Sequence, residues 1–234
     1  MSCKSVFVTA TGTDIGKTYV SGLLVKKMRD LGFDCGYYKP ALSGAIRQND
    51  GSLLPGDCDF VVRTAGLRVE PMNCLSYCFE EAVSPHLAAE RQGVNITLGK
   101  IKADFQEKSL DYDYLLVEGA GGITCPFNLT NGHELLLPQV ISGLGLDILI
   151  VADAGLGTIN SVILTVEYAK ARGINVRGIV LNNFDESNFM HLDNKKQVEI
   201  LTGVDVIATV KRNDKDIKLS LIHISEPTRL RRIS

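Results

Sequence analysis

The sequence predicts a doubly wound α/β fold, a mostly parallel sheet with helices on both faces. Short apolar runs rich in Val and Ile alternate with helix-length segments along the chain. The runs have no polar side, as strands buried on both faces require. No internal repeat or linker interrupts the alternation, and alternating strands and helices build a parallel sheet with helices packed against it. A chain of 234 residues that is 45% apolar can supply the core of one such sheet.

The elements follow in order. The apolar run at 5–9 is the first strand, and the amphipathic stretch 17–31 the first helix. A short strand at 35–38 precedes a segment, 41–57, of small and polar residues. That segment is the longest expected loop, and loops of this length usually carry function or move. Helices are expected at 58–65, 85–92 and 98–108, a strand at 114–118 and a helix at 135–143. The nearly all-apolar strand 148–152 is followed by a helix at 159–171 that Gly173 ends. A strand at 176–181, a helix at 189–201 and a strand at 205–210 complete the series.

Residues 1–218 read as a single domain. The segment 219–234 is Pro-interrupted, carries Arg229, Arg231 and Arg232, and has no helical period. It is read as a disordered tail or an expression remnant, with a small basic docking tail as the alternative. The formal charge of -2 gives no electrostatic case for nucleic acid or an anionic membrane. No apolar run reaches the roughly 18 residues that a membrane span needs. The six cysteines form no C-x-x-C pair and no zinc spacing with histidine, which fits reduced thiols in a cytoplasmic protein.

The stretch from Ala10 to Thr18 joins the first strand to the first helix, and it carries the chemistry. Gly16, Lys17 and Thr18 match the end of a phosphate-binding P-loop, which makes the fold P-loop NTPase-like. Glycine lets the backbone approach phosphate, the helix N-terminus turns N–H groups toward it, Lys17 adds a charge and Thr18 offers a hydroxyl to magnesium. The pattern is a variant, because Thr11 stands where the standard loop has its first Gly. A magnesium nucleotide also needs carboxylates at neighbouring strand ends. Glu118 and Asp153 both end apolar strands, and two glycines close behind Glu118 favour it. Lys39, at the end of the second strand, can lean over the same site, with Ser43 following it.

Gly155, Gly157, Thr158 and Asn160 form a second strand–loop–helix junction that could hold a carboxylate, with helix capping by Thr158 as the simpler reading. Ser84, Pro85 and His86 look like an N-cap, a proline at the first helical position and one ring beyond it.

Taken together, the segments VTATGTDIGKT, YYKPALSG, GDCDFVVRTAGL, SPHLAAE, LLVEGAGG, GLGTIN and GIVLNN make the chain resemble the dethiobiotin synthetases, in family order from Val6 to Asn183. The resemblance implies an ATP- and Mg2+-dependent ring closure of 7,8-diaminononanoate with CO2 or bicarbonate, through a carbamate and a carbamic-phosphoric anhydride. It implies that Thr13, Asp14, Gly16, Lys17 and Thr18 hold the nucleotide, and that Thr18, Asp57 and Glu118 hold magnesium. Asp59 competes with Asp57, but the spacing to Arg63 and Leu67 favours Asp57. Lys39, Lys17 and Thr13 are the implied catalytic residues. Ser43, Gly121, Gly157, Thr158 and Asn160 are the implied substrate contacts, the last three reached from the partner subunit of a homodimer. Asn182 lies where the family has an Asn near the base. The chain departs from the family at Ala10, at Asp14 and after the last strand, where VKRNDKD replaces a Gly-Glu-x-Pro-like loop. The base is therefore left open. Two other readings share the fold: a ParA- or MinD-like ATP switch, and a related amidoligase-type synthetase acting on another acid. The switch proteins carry a second Lys early in the loop, and this chain has none between Ser5 and Gly16.

Overall fold

A computed structural model describes residues 3–130 and 132–218. The segment 219–234, read above as a tail or remnant, lies outside the described residues.

Seven parallel strands form the central sheet. In chain order they are β1 (Lys4–Ala10), β2 (Cys35–Ser43), β5 (Leu75–Phe79), β6 (Tyr114–Glu118), β9 (Ile148–Asp153), β10 (Val176–Asn182) and β11 (Val206–Thr209). Two short hairpins, β3 (Ile46–Arg47) with β4 (Leu53–Leu54) and β7 (Pro126–Asn128) with β8 (Leu135–Leu136), lie outside it. The helices are α1 (Lys17–Asp30), α2 (Gly56–Ala65), α3 (Pro85–Arg91), α4 (Leu98–Lys108), α5 (Leu137–Leu144), α6 (Thr158–Lys170) and α7 (Phe189–Thr202).

The strand order is β11-β10-β9-β1-β6-β2-β5. Parallel neighbours require crossover connections, and these place helices on both faces. One face is covered by α1 and α2, through Val20, Leu23, Leu24, Val61 and Val62. The other is covered by α3 to α7, through Ala88, Ile101, Ile141, Val162 and Val198. Ile148, Ile150, Val151 and Ala152 of β9 are completely buried, which accounts for their unbroken apolar run.

Three expectations are corrected. The second strand does not stop before Pro40; β2 continues to Ser43, so Lys39 sits inside it. Pairing with β6 ends at Tyr38 and pairing with β5 begins at Lys39. The missing N–H of Pro40 therefore falls where the ladder on one side has already stopped. The expected loop 41–57 holds the end of β2, the β3–β4 hairpin and the start of α2. The expected helix at 135–143 begins two residues later, because Leu135 and Leu136 pair with β7. The edge strand β5 had no counterpart in the sequence reading.

Candidate active site

β1 and β6 are paired in register, Val8 against Glu118, so the loop after β1 and the end of β6 emerge side by side. Between Ala10 and α1 the chain turns through two left-handed residues, Asp14 at φ 58° and Gly16 at φ 91°. Asp tolerates that region better than most residues. Gly16 has no substitute, since a Cβ there would also collide with the Asn182 amide. The Asn182 Nδ2 donates to the Ile15 carbonyl at 2.9 Å, tying the end of β10 to the loop.

Four side chains meet around Glu118, which is completely buried. The Thr18 hydroxyl donates to Glu118 Oε1 at 2.7 Å. The Lys39 ammonium donates to the same oxygen at 2.7 Å and lies 2.9 Å from Asp57 Oδ2. The Tyr37 hydroxyl donates to Glu118 Oε2 at 3.0 Å. Lys39 is buried, and burial works against its charge, but the Glu118 and Asp57 carboxylates outweigh that and hold its pKa above the ordinary lysine value. For Asp57, burial pushes upward, while Lys39, Thr18 and Lys17 pull its pKa below the ordinary carboxylate value. Asp59 instead pairs with Arg63 one helical turn away, so geometry selects Asp57 at the cluster.

Lys17 is buried beside this cluster and donates to the Gly12 carbonyl at 3.2 Å. Burial lowers its pKa first, and the neighbouring Lys39 charge lowers it further. The two ammonium groups are thus near enough for the charge of Lys39 to disfavour that of Lys17. Gly121 lies beside Thr13 and Cys125: a Cβ on it, at φ 58°, would lie 3.8 Å from Thr13 Oγ1 and 3.2 Å from Cys125 Sγ.

The remaining expected residues fall in two groups. Ser43 ends β2 in register with Phe79. Gly157 and Asn160 are exposed, Thr158 is buried, and among the described residues no hydrogen bond or ion pair ties them to the Lys39 cluster. The capping reading of Thr158 is corrected, because Gly157 occupies the N-cap position and the Thr158 hydroxyl is buried without a partner among the described residues. Ser84 is the N-cap residue of α3, but its hydroxyl meets His86 Nδ1 at 2.9 Å rather than capping the helix. Asp153 shapes a turn, accepting from the Gly155 N–H and from Asn183 Nδ2. Tyr37 was not expected at the site. Its signal was its place two residues before Lys39, which puts both side chains on one side of the strand.

All six cysteines are free. Burial pushes the Cys125 thiol up to about 11, even with Lys17 and Lys39 nearby. We therefore expect Cys125 to react with iodoacetamide at pH 8 roughly 100-fold more slowly than an unperturbed thiol, since only the thiolate attacks. Peptide mass spectrometry over a time course reads this directly, and rapid labelling at Cys125 would contradict it. A cavity of about 180 Å3, lined by Lys4, Val6, Met28, Tyr114, Leu149 and Ile207, lies at the opposite ends of the strands and shares no residue with the cluster.

The site thus has the parts that handle a phosphate-bearing substrate: a glycine loop, two cations and oxygen donors at strand ends. A family model described as an AAA domain matches residues 4–217. The ATP-dependent dethiobiotin synthetase BioD of Clostridium botulinum (strain 657 / Type Ba4) is 45% identical over 216 residues, covering 92% of this chain and 94% of that protein. The protein of the same name from Clostridium perfringens (strain 13 / Type A) is 44% identical, with coverage of 95% and 97%. The chain belongs to the ATP-dependent dethiobiotin synthetase family. This membership makes it a ligase and disfavours the switch reading. The chain is similar in fold to the MinC:MinD cell division protein complex of Aquifex aeolicus, at a TM-score of 0.53, 13% identity and coverage of 91% and 83%. FtsY from Mycoplasma mycoides is similar to the same degree, with a TM-score of 0.53, 15% identity and coverage of 94% and 65%.

Proposed function

We propose that this chain closes the ureido ring of dethiobiotin from 7,8-diaminononanoate, CO2 and ATP with Mg2+, using the cluster around Glu118. The observation that carries the site assignment is the convergence of Thr18, Lys39, Asp57 and Glu118 within 2.7–2.9 Å contacts beside Lys17.

The donor set fits magnesium. Thr18 Oγ1, Asp57 and Glu118 are hard oxygen ligands, and a cation, the Lys39 ammonium, already lies between the two carboxylates. Among the described residues no group of three or more His, Cys, Asp or Glu could hold a metal alone. Magnesium does not need one, since it keeps waters and shares substrate phosphates. When bound, it would neutralise charge on the β- and γ-phosphates.

The chain's own residues then do the following. The loop from Ala10 to Thr18 holds the triphosphate, with Lys17 against its outer phosphates. One substrate amine adds to CO2, releasing a proton and leaving a carbamate, which Lys39, Ser43 and Thr13 orient. A carbamate oxygen attacks the γ-phosphorus, the bond to ADP breaks, and a carbamic-phosphoric anhydride results. The second amine attacks the carbamoyl carbon, phosphate leaves, and the ring closes. Such transfers depend on positioning and charge neutralisation more than on covalent help from the protein. Asn182, at the loop edge, contacts the base.

Gly121 lies against the reacting groups, while Gly157, Thr158 and Asn160 take the substrate carboxylate at the start of α6. Those residues would serve the partner's site in a homodimer. Leu156, just before α6, is 93% exposed, and Leu164 on α6 and Phe189 at the start of α7 are exposed as well, which supports burial against a second copy. A cytoplasmic location accords with the free cysteines.

The test supplies purified protein with diaminononanoate, bicarbonate, ATP and magnesium, and follows phosphate release and the ring product. Phosphate release that depends on the diamine and yields dethiobiotin is expected. Nucleotide hydrolysis that ignores the diamine would sink the reading.

A further inference from the structure

Among the hydrogen bonds of the described residues, Glu118 Oε1 accepts from Thr18 and Lys39, whereas Oε2 accepts only from Tyr37. Those bonds fix the plane of the carboxylate. Thr18 and Lys39 are also groups expected to respond to ligand, the hydroxyl as a metal ligand and the ammonium toward the transferred group. Tyr37 is not. It is 2% exposed, belongs to the core beneath α1 and α2, and sits in the β2 segment paired in register with Leu116 of β6. A rigid strand therefore holds its hydroxyl where only Glu118 is within reach.

We propose that Tyr37 is a positioning residue for magnesium, holding Glu118 Oε2 so that Oε1 stays turned toward Thr18 and toward the Lys39 ammonium that lies against Asp57. The inference rests on the magnesium reading above. It has a physical basis in the cost of freeing a buried carboxylate. Without the phenol, Oε2 loses its donor, and the group can turn about its last torsion, held only through the bonds of Oε1 to Thr18 and Lys39. The carboxylate would still be present but no longer pre-aimed, and outer partners of metal-binding carboxylates typically control affinity by about 10–100-fold.

The test is Tyr37→Phe, which removes one oxygen and keeps the ring. Mn2+ binding is measured by electron paramagnetic resonance with a non-hydrolysable ATP analogue, and binding of the same analogue is measured in EDTA. Thermal unfolding checks the fold. We expect the Mn2+ dissociation constant to rise about tenfold or more, with metal-free nucleotide binding unchanged. In turnover, the Mg2+ concentration at half-maximal rate should rise more than the limiting rate falls. Equal Mn2+ affinity in wild type and Tyr37→Phe overturns the proposal. So does a parallel loss of metal-free nucleotide binding, which would mark Tyr37 as a packing residue. Absence of Mn2+ binding by the wild type would overturn the magnesium reading itself and the positioning role with it, an outcome distinct from the other two.

Discussion

Lys17→Ala is expected to lower kcat/KM by about 10^3-fold or more while leaving the fold intact. The magnitude follows from the proposed role, since removing one preorganised donor aimed at a transferred group is worth roughly 10^2–10^3 in rate. Lys17 exceeds a neutral donor because it carries a full charge in a dry site. The side chain is buried at the first position of α1, and its one hydrogen bond among the described residues is to the Gly12 carbonyl. Deleting it breaks no buried ion pair, so thermal unfolding should move little. The lowered pKa has a consequence of its own. Burial and the Lys39 charge make Lys17 release its proton at a lower pH than an ordinary lysine. Nucleotide affinity in the wild type should therefore fall as pH rises through that lowered value, and in Lys17→Ala this limb should be missing. Titration calorimetry with ATP across alkaline pH measures both. A near-normal rate in Lys17→Ala would refute the role of the loop.

The sheet was legible because its central strands are buried on both faces, and a run such as Ile148–Asp153 has no other stable use. The strand β5 was not, because LSYCF follows a short 3-10 turn and sits at the sheet edge, with only Tyr77 and Phe79 buried. A half-buried strand leaves a weaker pattern than a central one. The continuation of β2 through Pro40 was hidden by a rule that holds in most strands and fails where pairing changes sides. At the site, Lys17, Thr18, Lys39 and Glu118 announced themselves as charges and hydroxyls beside glycines. Tyr37 did not, since an aromatic residue in a strand usually means core; only the partner across 81 positions of sequence gives its hydroxyl a purpose. The α6 residues were legible as a junction, but their relation to the cluster was not, because nothing local in a sequence specifies what such a junction faces.

Lys39→Met is expected to destabilise the metal-free protein by about 3–5 kcal/mol, the usual cost of stranding one partner of a buried ion pair. Glu118 is completely buried and Lys39 nearly so, which places this pair in that class; Asp57, with a side chain 42% exposed, adds little to the sum. The raised Lys39 pKa means its contribution is complete below the ordinary lysine range and disappears as pH climbs through the raised value. The depressed Asp57 pKa means its contribution is complete above the ordinary carboxylate range and disappears in acid. The wild type should thus hold a broad plateau of stability that the variant lacks. Because the ammonium lies between the two carboxylates expected to bind magnesium, the variant should respond to the metal more than the wild type does. A ligand that binds only the native state adds stability in proportion to the logarithm of its saturation, and in Lys39→Met no internal cation competes for the seat. Millimolar Mg2+ should therefore recover part of the lost stability in the variant and shift the wild type little. Turnover should stay depressed by about 10^2–10^3-fold even in saturating metal, since magnesium restores the charge balance of Glu118 but not the cation proposed to face the carbamate. Differential scanning calorimetry with and without Mg2+, beside steady-state rates, separates the two effects. Equal metal stabilisation of both proteins would show that Lys39 does not share the magnesium seat, and recovery of the rate by magnesium alone would remove Lys39 from the chemistry.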